Sequence, residues 1–299
     1  MNIAPGVSCP LCGQSGIQVY RPGGEGQLQH DSLGSSRTHV SHGTLLRCSD
    51  CSFVFSELRP ADEDLHKLYR EMDTTAYERE SAGRQRTARV HLGIVQRYTR
   101  KGELLDVGCA SGAFLHEAAE SGWTVTGIEP AAVLCEKARG ALGGRGRVLC
   151  STLQGANLPP SSFDALTLWD VLEHVSDPVD FLTRCGALLR PNGFLFANVP
   201  DISTLPARIL GDRWPLLLPE HLNYFDRASL RVCGDRAGLR WIAFGKRPTR
   251  FTLEYIFFRM SQHRIPGTSS GYRLLRKSRP GQICLPVHIG ESYGVWQRV

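Results

Sequence analysis

The spacing of apolar positions changes several times along the chain, and each change marks an element. Glu103–Val107 is a short apolar run that predicts a strand, followed at once by Gly108-Cys109-Ala110-Ser111-Gly112. Ala113–Glu120 reads as a helix, Thr124–Ile128 as a β-branched strand, Ala131–Arg139 as a helix and Phe163–Trp169 as the next strand. In Ser176-Asp177-Pro178 the aspartate can cap a helix and the proline suits its first position. That helix runs to about Leu189 and stops before Pro191-Asn192-Gly193. Phe194–Val199, Leu239–Phe244 and Glu291–Val299 predict further strands, with a helix over Ala228–Ala237 ending at Gly238. Strands alternating with helices imply an α/β fold: a doubly wound, Rossmann-like, seven-stranded and mostly parallel sheet covered on both faces. No internal repeat is present.

Upstream the pattern differs. From Ala61 to Thr99 it is helical, with Leu65, Leu68 and Tyr69, then Val90, Ile94 and Val95, at helical spacing. The chain thus divides into a small module over 1–60, a helical linker or lid over 61–100, and the α/β domain over 101–299, with an insertion around 245–285. The length of 299 residues and an apolar share of 41% suffice for one such domain plus an appendage. No run nears the ~20 apolar residues that cross a bilayer, and the first residues carry no basic or apolar leader pattern. The expectation is a cytoplasmic protein with no membrane partner. The formal charge of +6, with arginines gathered over 240–250 and 273–279, reads as a solvated surface. It brings no sequence-reading nucleic-acid motif, so a small-molecule acceptor is expected rather than nucleic acid. Oligomeric state is not encoded in any pattern here.

The glycine turn after the Glu103–Val107 strand carries chemistry. Gly108 and Gly112 allow a sharp turn and a close backbone approach to a ligand. In such sheets ligands sit at the carboxyl ends of the strands. Glu129, 17 residues after Gly112 at the next strand tip, is placed to accept hydrogen bonds from ribose hydroxyls. A nicotinamide dinucleotide site is the rival, but its fingerprint wants a glycine where Ala110 stands. Asp106, two residues before the first glycine, would also face a pyrophosphate with negative charge, and suits a cationic ammonium instead.

Cysteine usage points to a metal. Of ten cysteines, Cys9, Cys12, Cys48 and Cys51 form two Cys-x-x-Cys pairs, each able to supply two thiolates to a structural zinc. The other six are scattered, which predicts a reduced protein with one metal site rather than a disulfide framework. The 35 residues between Cys12 and Cys48 exceed the usual spacing and contain His30, His39 and His42, so a histidine replacing one thiolate stays open. A thioredoxin-like redox pair is the other alternative, but the βαβ context it needs is absent. A closed Cys₄ site has no coordination position left for catalysis.

Taken together, LLDVGCASGAFL, GIEP, FDALTLWDVLEHVSDPVDFL and LLRPNGFLFANVP resemble the successive motifs of class I S-adenosylmethionine (SAM)-dependent methyltransferases, from about Glu103 to Phe244. The resemblance implies SAM as cofactor, its methionine end held by Asp106, Gly108, Cys109 and Gly112, and its ribose by Glu129. It places Thr152 and Leu153 beside the adenine, and Trp169 and Asp170 on the floor by the sulfonium. Tyr77, in the helical stretch before the core, is expected to close over the cofactor as part of the lid. The paired cysteines followed by a Leu/Tyr-rich helix resemble the N-terminal module of bacterial methyltransferases acting on nucleotide sugars and other small molecules. His174, in Trp169-Asp170-Val171-Leu172-Glu173-His174, and His221, beside Glu220 in Pro219-Glu220-His221, fall on loops expected to share one rim. The latter segment is similar to one in sugar C-methyltransferases, where a Glu-His pair meets the acceptor. Leu218 stands where those enzymes often carry tyrosine, and their long second C-terminal domain is lacking, which favours O-methylation. His221 is expected to act as base with its pKa raised by Glu220, and His174 to place the acceptor. The plainer reading of either histidine is a structural hydrogen-bonded residue. A nicotinamide-dependent oxidoreductase and a non-catalytic binding protein on the same fold are the remaining alternatives.

Overall fold

The strand tips that carry these residues belong to one sheet. A computed structural model describes residues 6–24, 42–60, 81–262, 267–276 and 278–299; Tyr77, His30, His39 and the first half of the expected lid lie outside them. In the module, β1 (Ile17–Arg21), β2 (Leu45–Cys48) and β3 (Val54–Ser56) come first, then α1 (Ser81–Val95). The α/β core runs β4 (Glu103–Val107), α2 (Ala113–Glu120), β5 (Thr124–Ile128), α3 (Ala132–Leu142), β6 (Gly146–Leu149) and β7 (Phe163–Trp169). It continues with α4 (Pro178–Leu188), β8 (Leu189–Pro200), α5 (Leu205–Leu210), β9 (Asn223–Tyr224), α6 (Arg227–Arg236) and β10 (Leu239–Lys246). The last part is β11 (Thr249–Thr252), α7 (Leu253–Gln262), α8 (Thr268–Leu275), β12 (Cys284–Val287) and β13 (Glu291–Arg298).

The seven-stranded sheet has the order β10-β13-β8-β7-β4-β5-β6. Only β13 runs against its neighbours β8 and β10, while β8, β7, β4, β5 and β6 are parallel. Strand order reverses between β4 and β7, so a crevice opens outside their carboxyl ends. The predicted strands at 103–107, 124–128 and 163–169 match the observed bounds. Asp177 caps α4 as expected, accepting from the amides of Val179 and Asp180. The described residues between β10 and β13 form the two-stranded β11–β12 sheet with α7 and α8.

Two expectations change. Cys135 on α3 and Cys150 just after β6 form a disulfide, with Cα atoms 5.6 Å apart. The scattered cysteines are therefore not all reduced; β6 had gone unrecognised, and it is β6 that brings Cys150 alongside α3. The described residues of the module over 1–60, drawn above as a separate unit, also share their core with the α/β domain. β3 pairs antiparallel with β9 from the α/β domain, Val54 opposite Tyr224 and Phe55 opposite Asn223, completing a four-stranded sheet β1-β2-β3-β9. Leu11, Leu46, Phe53 and Phe55 join the same apolar cluster as Leu172, Phe225 and Leu230.

Candidate functional site

Four thiols converge at the module's tip. Cys9 Sγ lies 3.6 Å from Cys51 Sγ and Cys12 Sγ 3.5 Å from Cys48 Sγ, and all four sulfurs fall within 4.8 Å of one another. Tetrahedral zinc with Zn–S bonds of ~2.3 Å requires sulfurs ~3.8 Å apart, so the donor set fits that ion. Burial pushes the Cys9 thiol up to about 11, which an ion would reverse, since a coordinated thiol is deprotonated.

A cavity of about 520 Å³ opens outside the β4 and β7 ends. Asp106 reaches it from β4, its carboxylate buried and accepting from the Thr167 hydroxyl on β7 at 2.6 Å. Burial raises its pKa to about 7, against the Thr167 bond and with Glu129 adding to the rise. Gly108 has φ 74°, and a Cβ there would stand 2.7 Å from a Val171 methyl. Gly112, with φ 80°, is needed for a different approach: its absent Cβ leaves room for Ala138 on α3, 2.9 Å away. Ala110, also left-handed at φ 47°, donates its amide to Glu129 Oε2 at 2.9 Å, and Ala131 donates to Oε1 at 2.9 Å. Glu129 thus ties the glycine turn to the next strand tip, and burial raises its pKa.

Cys109, Trp169 and Asp170 line the cavity with Asp106 and Gly108, whereas Glu129, Gly112, Thr152 and Leu153 do not. Leu153 instead faces a shallow recess with Arg184 and Leu188, and Thr152 Oγ1 accepts from the Gly155 amide at 3.1 Å. Trp169 stacks on His91 of α1, ring centres 3.7 Å apart and 13° from parallel, and meets Phe114 edge-on.

The two histidines also line the cavity, ring centres 4.7 Å apart and nearly perpendicular. His174 Nδ1 lies 3.0 Å from the Glu220 carbonyl oxygen and His221 Nδ1 2.9 Å from that of Leu216. A carbonyl only accepts, so each Nδ1 carries the proton and each Nε2 is the acceptor nitrogen of its neutral ring. The expected rise in the His221 pKa is corrected. Burial, then the neighbouring His174, lowers it well below the usual histidine value, and burial lowers His174 to about 4. Glu220 offers His174 its backbone carbonyl.

Sequence reasoning passed over several cavity residues. Arg247, in a stretch read as solvated surface, is buried; Nε donates to Asn198 Oδ1 at 3.0 Å and Nη2 lies 3.4 Å from Glu291 and 3.9 Å from Asp170. Asn198 in turn donates to Asp170, which holds a left-handed φ of 58°. Glu173, inside a motif already singled out, is buried against the cavity. Its position between Asp170 and His174 was the available signal.

Sheet order, glycine turn and cavity are those of a class I SAM-dependent methyltransferase. The chain belongs to the methyltransferase-domain family, which matches residues 78–243. This removes the nicotinamide alternative. Ubiquinone biosynthesis O-methyltransferase of Histophilus somni is 37% identical over 152 residues, covering 46% of this chain and 64% of that protein. Its counterpart in Methylocella silvestris is 37% identical over 97 residues, covering 31% and 38%. The chain thus spans under two thirds of the length of these relatives. In fold it is similar to a SAM-dependent methyltransferase from Thermotoga maritima (TM-score 0.50, 17% identity, 75% of this chain and 95% of that one). It is similar also to the cyclase SpnF (TM-score 0.52, 19% identity, 71% and 81%). Among the described residues no helix is long and apolar enough to cross a membrane.

Proposed function

We propose that the chain transfers a methyl group from SAM to an oxygen of a small-molecule acceptor such as a sugar or natural product. One observation carries this reading: a single cavity runs from Asp106 and Gly108 to His174 and His221. A buried carboxylate with a hydroxyl partner and, among the described residues, no cation acting on it suits the methionine ammonium, and the glycine turn leaves room for the chain beyond it. Bound there, SAM supplies an electrophilic methyl carried on a sulfonium. Glu129 keeps lone pairs for the ribose while its amide bonds hold it in place, and Trp169 and Asp170 form the floor. Thr152 and Leu153 remain the adenine candidates, and Tyr77 the lid residue. His221, neutral near pH 7 and with Nδ1–H tied to Leu216, accepts the acceptor's proton at Nε2. His174, positioned by the Glu220 carbonyl, orients the acceptor beside it. The name of the curated relatives supports oxygen over carbon as the methylated atom. Zinc on Cys9, Cys12, Cys48 and Cys51 is read as structural.

The test is calorimetry with S-adenosylhomocysteine and NAD, then transfer of labelled methyl from SAM to hydroxylated sugars and phenols, with the methylated atom read by NMR. Micromolar S-adenosylhomocysteine binding and an O-methyl product are expected. Tight NAD binding without S-adenosylhomocysteine binding, or a C-methyl product, refutes the reading.

A further inference from the structure

The described residues between β10 and β13 supply one wall of the cavity. β11 packs on α1, and α7 on β11. The Arg250 amide donates to Thr87 Oγ1 at 3.0 Å, one helical turn before His91, whose ring stacks on Trp169. Thr249 Oγ1 donates to Glu291 and accepts from Arg247 Nη1 at 3.4 Å. The wall is thus tied to the Trp169 side through α1 and to the Arg247 cluster beside Asp170 through Thr249. From α7 it turns Tyr255, Ile256, Arg259 and Met260 to the cavity, the neighbouring positions of one helix face. Phe251 stacks on Tyr255, ring centres 5.4 Å apart and 23° from parallel. Within this largely apolar surface one guanidinium is unsatisfied: Arg259 Nη1 is buried and has no hydrogen-bond partner among the described residues. Arg247, by contrast, is committed to Asn198, Glu291 and Asp170. Charge is also divided by element. The carboxylates lining the cavity come from the ends of β4, β7 and β13 and from the loop before β9, whereas Arg84, Arg250 and Arg259 come from α1, β11 and α7.

We propose that Arg259 is the specificity-determining residue of an acceptor subsite for an oxyanion, a carboxylate or a phosphate, carried next to an apolar or aromatic body. A buried guanidinium N–H without an acceptor is costly. A carboxylate or phosphate satisfies it with charge-assisted, bidentate bonds that a neutral group does not match. Tyr255 precedes Arg259 by one turn of α7, so the Phe251–Tyr255 pair offers the body attached to that anion an aromatic face to stack on. Arg84 and Arg250 on the same wall add positive potential that draws an anion in. This inference rests on the reading that the cavity takes SAM and a small-molecule acceptor, and it narrows the class of that acceptor. The rival ligand for Arg259 is the methionine carboxylate of SAM itself, and cofactor affinity separates the two.

The experiment saturates the full chain with S-adenosylhomocysteine and titrates para-butylbenzoate, para-butylphenyl phosphate and the neutral methyl ester of the benzoate by calorimetry. At least one anion is expected to bind ~10–100-fold more tightly than the ester, and which one does so separates a carboxylate from a phosphate acceptor. Arg259→Gln is expected to remove that preference while changing the affinities for the ester and for S-adenosylhomocysteine less than about threefold. Arg259→Lys is expected to restore part of it, and Tyr255→Ala to weaken anions and ester alike. Equal binding of anions and ester, no binding by either anion, or a preference that survives Arg259→Gln overturns the proposal. So does a loss of S-adenosylhomocysteine affinity in Arg259→Gln, which assigns the guanidinium to the cofactor's carboxylate. If that variant fails to fold, the arginine Nε–H resonances of the wild-type chain decide: an anion that shifts none beyond those the ester shifts refutes the subsite. Failure of the methyltransferase reading is a separate result. S-adenosylhomocysteine then gives no heat, and an anion preference found on the free chain supports the subsite while counting against that reading.

Discussion

Disrupting the four-cysteine cluster tests how far the influence of its module reaches. Phe53 packs against Phe225 with the rings tilted by 48° and their centres 5.1 Å apart, and the Ser56 amide donates to the Leu222 carbonyl at 2.9 Å. Arg59 donates to the Leu222 carbonyl at 3.3 Å, to Asn223 Oδ1 at 3.2 Å and to the Ser176 carbonyl. Leu222 directly follows His221, so the module holds the histidine loop from behind. Burying one phenylalanine face contributes about 1.5–3 kcal/mol, and each neutral hydrogen bond about 0.5–1.5 kcal/mol. Denatured-state burial offsets part of this, and a net of about 3 kcal/mol is a reasonable figure. Loss of the module through Cys48→Ser or chelation should therefore lower the local opening free energy of residues 221–225 by that amount. Amide exchange there, and over 172–176, then quickens ~100-fold. Affinity for S-adenosylhomocysteine, set at the β4 tip, should change less than about threefold. Hydrogen-exchange mass spectrometry with calorimetry reads both. Unchanged exchange over 221–225 while residues 6–24 and 42–56 open fully would show two independent modules and refute the argument.

Asp106 gives a pH dependence. Its carboxyl, raised to about 7 in the free protein, must be ionised to hold a cationic ammonium, so affinity falls as pH drops below that value. S-adenosylhomocysteine should bind about tenfold more weakly at pH 6 than at pH 8, with proton release at the lower pH; a flat profile in calorimetry contradicts the assignment. Glu129→Ala removes two amide acceptors as well as the ribose contact, and should weaken S-adenosylhomocysteine by about 1.5–3 kcal/mol, whereas Glu129→Gln should recover part of it. Arg247→Leu leaves Glu291 buried without its cation and should cost about 3–5 kcal/mol of stability; denaturant unfolding of this variant and of Arg247→Leu/Glu291→Leu tests it, the double variant being the more stable. His221→Ala should reduce turnover ~10²–10⁴-fold with cofactor affinity nearly unchanged, and wild-type turnover in that variant removes His221 from the chemistry.

The α/β core was legible because its strands are buried on both faces and read as unbroken apolar runs, as in Phe163–Trp169, all but two of whose residues are buried. β6 was missed because only Val148 of its residues is fully buried. With it went the pairing of Cys135 and Cys150, since fifteen residues of separation say nothing of proximity until the strand is placed. β9 is two residues long and has no period to detect. Yet it carries the module onto the catalytic domain, so the sequence suggested a boundary where the structure has a shared sheet.

The site divides along the same line. Asp106, Gly108 and Trp169 lie on one strand–turn pattern or at the end of a regular strand, and their roles follow from local spacing. Arg247, Asn198 and Glu291 come from β8, β13 and the segment after β10, and meet only because β13 inserts antiparallel between β8 and β10. Arg247 looked like solvated surface for that reason. The histidine pKa expectation failed for a related one. In sequence His221 has a carboxylate as its neighbour, and adjacency suggests an ion pair. In space its ring faces another imidazole and a carbonyl in a buried pocket, where desolvation outweighs any distant charge. A base held neutral in this way is available at neutral pH without first losing a proton.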